Sequence, residues 1–208
     1  MLVCLGRFCA VVGCVLFANS VWANACLEHK QKSDISVDLI TPKTNIMQDD
    51  GLVDMWHGLV EAAWVNQYDV GFFVQPVKNG VCVGINSVNL DIGYEEFNVK
   101  IDIRHKKDSC SYNAVLAHEK KHIDVYNKVA SEYLPDFKRS LESATDSIFP
   151  IFVKTYDEVK NATTELKEKF FNHPELVVLM QRLEAAQEIR NKRIDQEETG
   201  DDLKKCML

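Results

Sequence analysis

The apolar positions change their period near residue 110. Before it they alternate or run together over short stretches, and after it they recur every three or four residues. Ser33 to Thr41 alternates and stops at Pro42, which reads as a strand. Asp49-Asp50-Gly51 opens a stretch with Leu52, Met55, Trp56, Leu59, Val60 and Ala63 at helical spacing and an acidic start. Val70 to Val77 is a buried-type strand, Lys78-Asn79-Gly80 a hairpin turn, and Val81 to Leu90 the returning strand. From Phe97 to His105 the residues Phe97, Val99, Ile101 and Ile103 face one way, and Asn98, Lys100, Asp102 and Arg104 the other.

The second half reads as helices. The spacing predicts one from Ala114 to Tyr133, stopped by Pro135, a second from Phe137 to about Phe149, and from Ile151 to Phe171 a third or a kinked extension of the second. Pro174 sits in the first turn of a last helix over about 175 to 198, ending before Gly200. Together these predict an α+β protein: a short antiparallel sheet with one early helix, then an active-site helix and a C-terminal helical half.

Residues 1–25 are a different text. Arg7 precedes an apolar run from Phe8 to Phe17, and Ala23-Asn24-Ala25 is a small-x-small cleavage signal. This predicts a secretory signal peptide at 1–25, a single domain at 26–208, and a periplasmic or secreted protein. Lipid anchoring through Cys26 is the weaker alternative, because the residues before it suit lipoprotein processing poorly. Export changes the cysteine arithmetic. Cys4, Cys9 and Cys14 leave with the peptide, and Cys26, Cys82, Cys110 and Cys206 remain, enough for two disulfides. Of the three pairings, Cys82 with Cys110 and Cys26 with Cys206 is the one favoured by proximity to strand ends and termini. A net charge of −7 argues against nucleic acid as a partner. The mature chain has no apolar run that would span a bilayer.

One motif carries chemistry: His118-Glu119-Lys120-Lys121-His122. Histidines at i and i+4 share one helix face, so both imidazoles can bind one zinc ion, and zinc lowers the pKa of a bound water to about 7. Glu119 follows the first histidine and can take the proton from that water as general base. The attacked group is then an amide carbonyl, and the same Glu can protonate the leaving amine. The competing reading is a solvated helix with two surface histidines, to which Lys120 and Lys121 would belong.

At this point the chain resembles the HExxH zinc metallopeptidases, the zincins. Cys110 to Asp124 is similar to a family of small secreted bacterial proteins predicted to be zinc-dependent proteases. The resemblance implies a short sheet before the HExxH helix, zinc on His118 and His122, and a peptide or protein substrate. Arg190-Asn191-Lys192-Arg193-Ile194-Asp195 resembles a later Asp-containing element of that family. Where some relatives carry His-Gly beyond that Asp, this chain has Glu198-Thr199-Gly200.

The third zinc ligand stays open. If the last helix packs antiparallel to the HExxH helix, residues 185 to 198 pass the level of His118 and His122. Gln187, Asn191 and Glu198 then fall on or beside its apolar stripe, flanked by Glu184 and Asp195. Glu198, or else Asp195, is the expected ligand or hydrogen-bond partner, with Glu184, His105 and His173 as weaker alternatives. Asp124 points away from the pair, as a structural partner. Tyr126 and Tyr133 are candidates to polarise an oxyanion. The strand Phe97 to His105 is a candidate edge for an extended peptide. Two other functions remain beside the peptidase: a non-catalytic periplasmic binding or interaction domain, and a zinc-binding protein without hydrolysis.

Overall fold

The computed structural model describes residues 26–52, 57–197 and 205–206. The expected signal peptide and Glu198 lie outside them. Among the described residues there are five strands: β1 (Asp34–Ile40), β2 (Lys43–Asp49), β3 (Gly58–Val77), β4 (Gly80–Asp102) and β5 (Ile151–Val153). Three helices follow the long strands: α1 (Cys110–Ser147), α2 (Val159–Phe171) and α3 (Pro174–Glu197), with a single 3-10 turn at Tyr156–Glu158 before α2.

This corrects the expected fold, a short antiparallel sheet with one early helix. The sheet has five strands with β4 as the common partner of the other four. β2 lies parallel to β4, from Lys43 opposite Glu96 to Asp49 opposite Asp102. β5 pairs antiparallel with Val81–Val83. The strands are also long, 20 residues in β3 and 23 in β4. Where the early helix was expected, Gly58 to Ala63 opens β3. The helical spacing of Leu52 to Ala63 competed with a second pattern at period two: Val60, Ala62 and Trp64 pack on the core from one face of the strand. Glu61, on the other face, pairs with Lys100 at 2.5 Å. Of the strand expected over Phe97 to His105, Phe97 to Asp102 is the end of β4, paired there with β2, and β4 is the common partner of the other four strands rather than the expected edge.

The chain separates into two compact units. The first comprises the described residues up to Ile35, Asp69–Val88 and Leu141–His173. It contains the turn between β3 and β4, where Asn79 has φ 70°, a left-handed conformation that Asn tolerates. Its buried apolar residues include Val81, Val83, Leu141, Leu166 and Phe170. The second unit comprises Ser36–Tyr68, Asn89–Ser140 and the described residues from Pro174 on. Its buried apolar residues include one cluster of Tyr94, Phe97, Val99, Ile101, Tyr112, Val115 and Ile123. Phe97, Val99 and Ile101 are fully buried, as their alternation predicts, and each contributes about 1.5 to 3 kcal/mol by leaving water. Ile103, past the strand end, is exposed.

Two helix boundaries also differ from expectation. Pro135 lies inside α1, which runs unbroken for 38 residues. A mid-helix proline costs about 3 kcal/mol. Burial on both sides of it, at Val129 and Ala130 before and Phe137 and Leu141 after, offsets that cost. Ile151 begins β5 rather than a helix, because its three residues find a partner in β4.

The disulfides are Cys26–Cys82 and Cys110–Cys206. The expected pairing of Cys82 with Cys110 and Cys26 with Cys206 is therefore corrected. Each bridge stays within one unit. Cysteine carries no local signal for its partner, which is why the pairing could not be read from spacing.

Candidate metal centre

α1 and α3 are antiparallel, as the partners along them show. Tyr133 donates from its hydroxyl to the Arg182 carbonyl at 3.1 Å, and Arg190 pairs with Glu132 at 2.7 Å. Farther along, His122 meets Asn191, and both HExxH histidines meet Asp195. α3 thus returns past the motif at the level expected, and Asn191 and Asp195, one turn apart, face His118 and His122.

Three donor atoms converge there. His118 Nε2 and His122 Nε2 are 3.1 Å apart, and Asp195 Oδ1 lies 3.4 Å from the first and 3.2 Å from the second. Donors about 2.0 to 2.1 Å from a tetrahedral zinc are separated by about 3.3 Å, so the three atoms have the spacing of one face of such a site. Two imidazoles and one carboxylate are also a donor set that zinc takes in catalytic sites, where a fourth position stays open. The donors fit the metal in number, type and spacing.

Asn191 orients one of them. Its Oδ1 lies 2.9 Å from His122 Nδ1 and accepts the proton there, which leaves Nε2 as the lone-pair nitrogen facing the cluster. Asn191 was legible only as a polar residue on an apolar stripe.

Glu119 sits beside this cluster and is buried, 5 % exposed. Burial pushes its carboxyl up to about 7, the His122 charge opposing and the Asp195 charge adding to the rise. A carboxyl poised near neutral pH exchanges protons in either direction. Its space is made by Gly58: a Cβ there would lie 2.5 Å from Glu119 Oε1 and 2.7 Å from Val115 Cγ1. Sequence reasoning missed Gly58, which lies within the stretch expected to be a helix and carries no functional group.

The remaining sequence candidates separate cleanly. Tyr126 packs on Tyr94 and Phe97 of the core, and burial raises its pKa, the charges of Asp195 and Glu119 raising it further. Tyr133 is engaged by the Arg182 carbonyl and serves as a tie between helices. His105 packs on His57, with Nε2 3.0 Å from His57 Nδ1, and His173 bonds Ser147 Oγ at 3.1 Å. Neither joins the cluster, and Glu184 is exposed on α3. Asp124 is exposed, as its position two residues past His122 predicts. Among the described residues the one group of three or more potential ligands is His118, His122 and Asp195. No family model matches the chain, and neither a curated protein nor a solved structure is similar to it.

Proposed function

We propose that the chain is an exported zinc-dependent metallopeptidase. The observation that carries this reading is the triangle of His118 Nε2, His122 Nε2 and Asp195 Oδ1, with edges of 3.1, 3.2 and 3.4 Å, beside the buried Glu119. A surface helix has no reason to gather two imidazoles and a carboxylate from a distant helix around one point. It has still less reason to bury Glu119 beside them, since a buried acid without a task costs stability.

In this reading His118, His122 and Asp195 hold the zinc, and Asn191 fixes the ring of His122. The zinc supplies a bound water acidic near neutral pH and a positive charge to polarise the carbonyl. Glu119 accepts the proton of the attacking water and passes it to the leaving amine. Tyr126, whose hydroxyl burial and the charges of Asp195 and Glu119 keep protonated, is the candidate in this reading to donate to an oxyanion. β3 pairs with β4 alone among the described strands, and it begins at Gly58 against Glu119. That edge, rather than the end of β4, suits an extended peptide binding as an added strand. The two disulfides suit an oxidising compartment.

The test combines metal content and one variant. Purified mature protein should hold one zinc per chain by elemental analysis. Glu119→Gln should keep that zinc and lose activity on a peptide library by about 10²- to 10⁴-fold. Zinc without wild-type cleavage would point to a zinc-binding protein instead. Metal-free protein whose metal uptake ignored His118→Ala would leave a binding domain.

A further inference from the structure

Two histidines outside the metal triangle meet beside Gly58. His57, the residue before β3, is exposed, and its Nδ1 lies 3.0 Å from Nε2 of His105, which is 8 % exposed. The rings meet at 63° with centroids 5.1 Å apart. His57 is held a second time through its carbonyl, which accepts from the Asp102 N–H at 3.0 Å. Asp102 and His105 bound the turn that ends β4, closed by the His105 N–H on the Asp102 carbonyl at 3.0 Å. Gln48 of β2 fixes that turn by donating to the His105 carbonyl at 2.9 Å. The residue after His57 is Gly58, which makes the space for the Glu119 carboxylate. A ring contact and a backbone bond therefore anchor the chain one residue away from the wall of the proposed base.

We propose that His57 and His105 are positioning residues for Glu119: their hydrogen bond holds Gly58 against its carboxylate, and a second proton on the pair releases it in acid. This rests on the peptidase reading and adds regulation of the same site by pH. A bond between two imidazole nitrogens needs one N–H and one lone pair. Two neutral rings supply them, and so do one neutral ring and one cation. Two cations offer four N–H groups and no lone pair. When a proton from solvent occupies the last nitrogen, the contact turns repulsive. The groups facing His105 set where this happens. Burial lowers its pKa most and the His57 charge next; Asp102 raises it and Arg104 lowers it again. Gln48 is uncharged, and Glu119 lies beyond Gly58. A histidine held neutral by the fold contributes its bond fully above its ordinary value of 6.5 and loses it as pH falls below that.

NMR follows isotope-labelled mature protein from neutral pH into acid. The signals are the imidazole nitrogens of both histidines and the NOE between the Gly58 α-hydrogens and the Val115 methyls, which are neighbours in the closed arrangement. The NOE should fade in the same step as the last protonation of the pair. His105→Leu should weaken it already at neutral pH and lower kcat about tenfold, with KM and zinc content unchanged. His57→Ala makes the same break at an exposed position and reports the loss even where the buried variant fails to fold. His105→Gln keeps a nitrogen at the place of Nε2, and its amide bonds His57 in either charge state. It should restore the neutral NOE and kcat and abolish the acid step. Zinc loss and the titration of other groups are common to wild type and His105→Gln, so their difference isolates the pair. A wild-type NOE that ignores the protonation of the pair, or an unchanged acid step in His105→Gln, would overturn the proposal. Wild type that cleaves no peptide while the NOE follows the pair keeps the anchor and removes the peptidase. Cleavage with an indifferent NOE does the reverse.

Discussion

The two compact units bury different things. The first buries mainly apolar side chains; among its described residues Thr145 is the buried polar one, satisfied inside its own helix by the carbonyls of Leu141 and Glu142, and His173 Nδ1 is buried too. The second buries Asp102, His105, Glu119 and Gln187. The groups with displaced pKa values described above, Glu119 and Tyr126, belong to it too. Buried ionisable groups cost stability and concentrate where chemistry is done. The contrast puts the buried ionisable groups, Glu119 of the proposed site among them, in the second unit.

The strongest way to break this comparison is to remove a donor. His122→Ala should abolish stoichiometric zinc and with it all activity, while Thr145→Ala in the first unit should cost about 1 kcal/mol of stability and leave zinc content unchanged. Elemental analysis and thermal melting of both variants decide it. If Thr145→Ala depleted the metal as well, the metal centre would not belong to the second unit alone.

The disulfides sharpen it. Both close long loops, separations of 56 and 96 residues, so each contributes about 4 to 5 kcal/mol by the chain-entropy argument. Cys110–Cys206 encloses His118, His122, Asn191 and Asp195, whereas Cys26–Cys82 encloses none of them. Replacing both cysteines of either pair with Ser should lower Tm similarly. Zinc affinity per folded molecule should fall only in the Cys110–Cys206 variant, which a competition titration with a chromophoric chelator would show.

Smaller effects come from residues that touch donors without being donors. Asn191→Ala leaves His122 free to rotate and to change tautomer, and should weaken zinc about 10- to 100-fold. Gly58→Ala should keep zinc but displace the Glu119 carboxylate, lowering kcat on the order of ten- to a hundredfold. Equal metal affinity in Asn191→Ala and wild type would remove Asn191 from the site.

What the sequence revealed follows the range of the interaction. The histidine pair is local to one helix turn, and Phe97, Val99 and Ile101 alternate within one strand, so both were legible. Asn191 lies 69 residues from His122, and its partner is set by how α1 and α3 pack. The sequence placed α3 at the right level but did not choose between Glu198, outside the described residues, and Asp195, since helical phase alone does not resolve neighbours on a face. The helix expected over Leu52 to Ala63 gives way to strand from Gly58 on, because two periodicities coexist there and pairing with β4 favours the strand, and 53–56 lie outside the described residues. Pro135 misled for a related reason: local backbone cost was outweighed by burial of residues on either side.

The smallest predicted effect lies in acid, again in the second unit. Asp102 is buried at the end of β4, where Arg104 holds its carboxyl at about 2, below its ordinary value of 3.8, chiefly by a side-chain hydrogen bond at 2.6 Å. The Arg104 backbone N–H adds a second bond at 2.7 Å. A carboxyl depressed in the folded state binds its proton more readily when unfolded. Its contribution is therefore fully present above the ordinary value and is lost as pH falls from about 4 toward 2. Asp102→Asn removes the titration while keeping the shape. The Tm difference between wild type and Asp102→Asn, measured in chelator to remove any metal effect, should be constant near neutrality and shrink below about pH 4. Arg104→Ala should flatten the same profile, because the guanidinium is the main cause of the depression. A difference that grew in acid would mean that Asp102 is held protonated in the fold and that its partner is not Arg104.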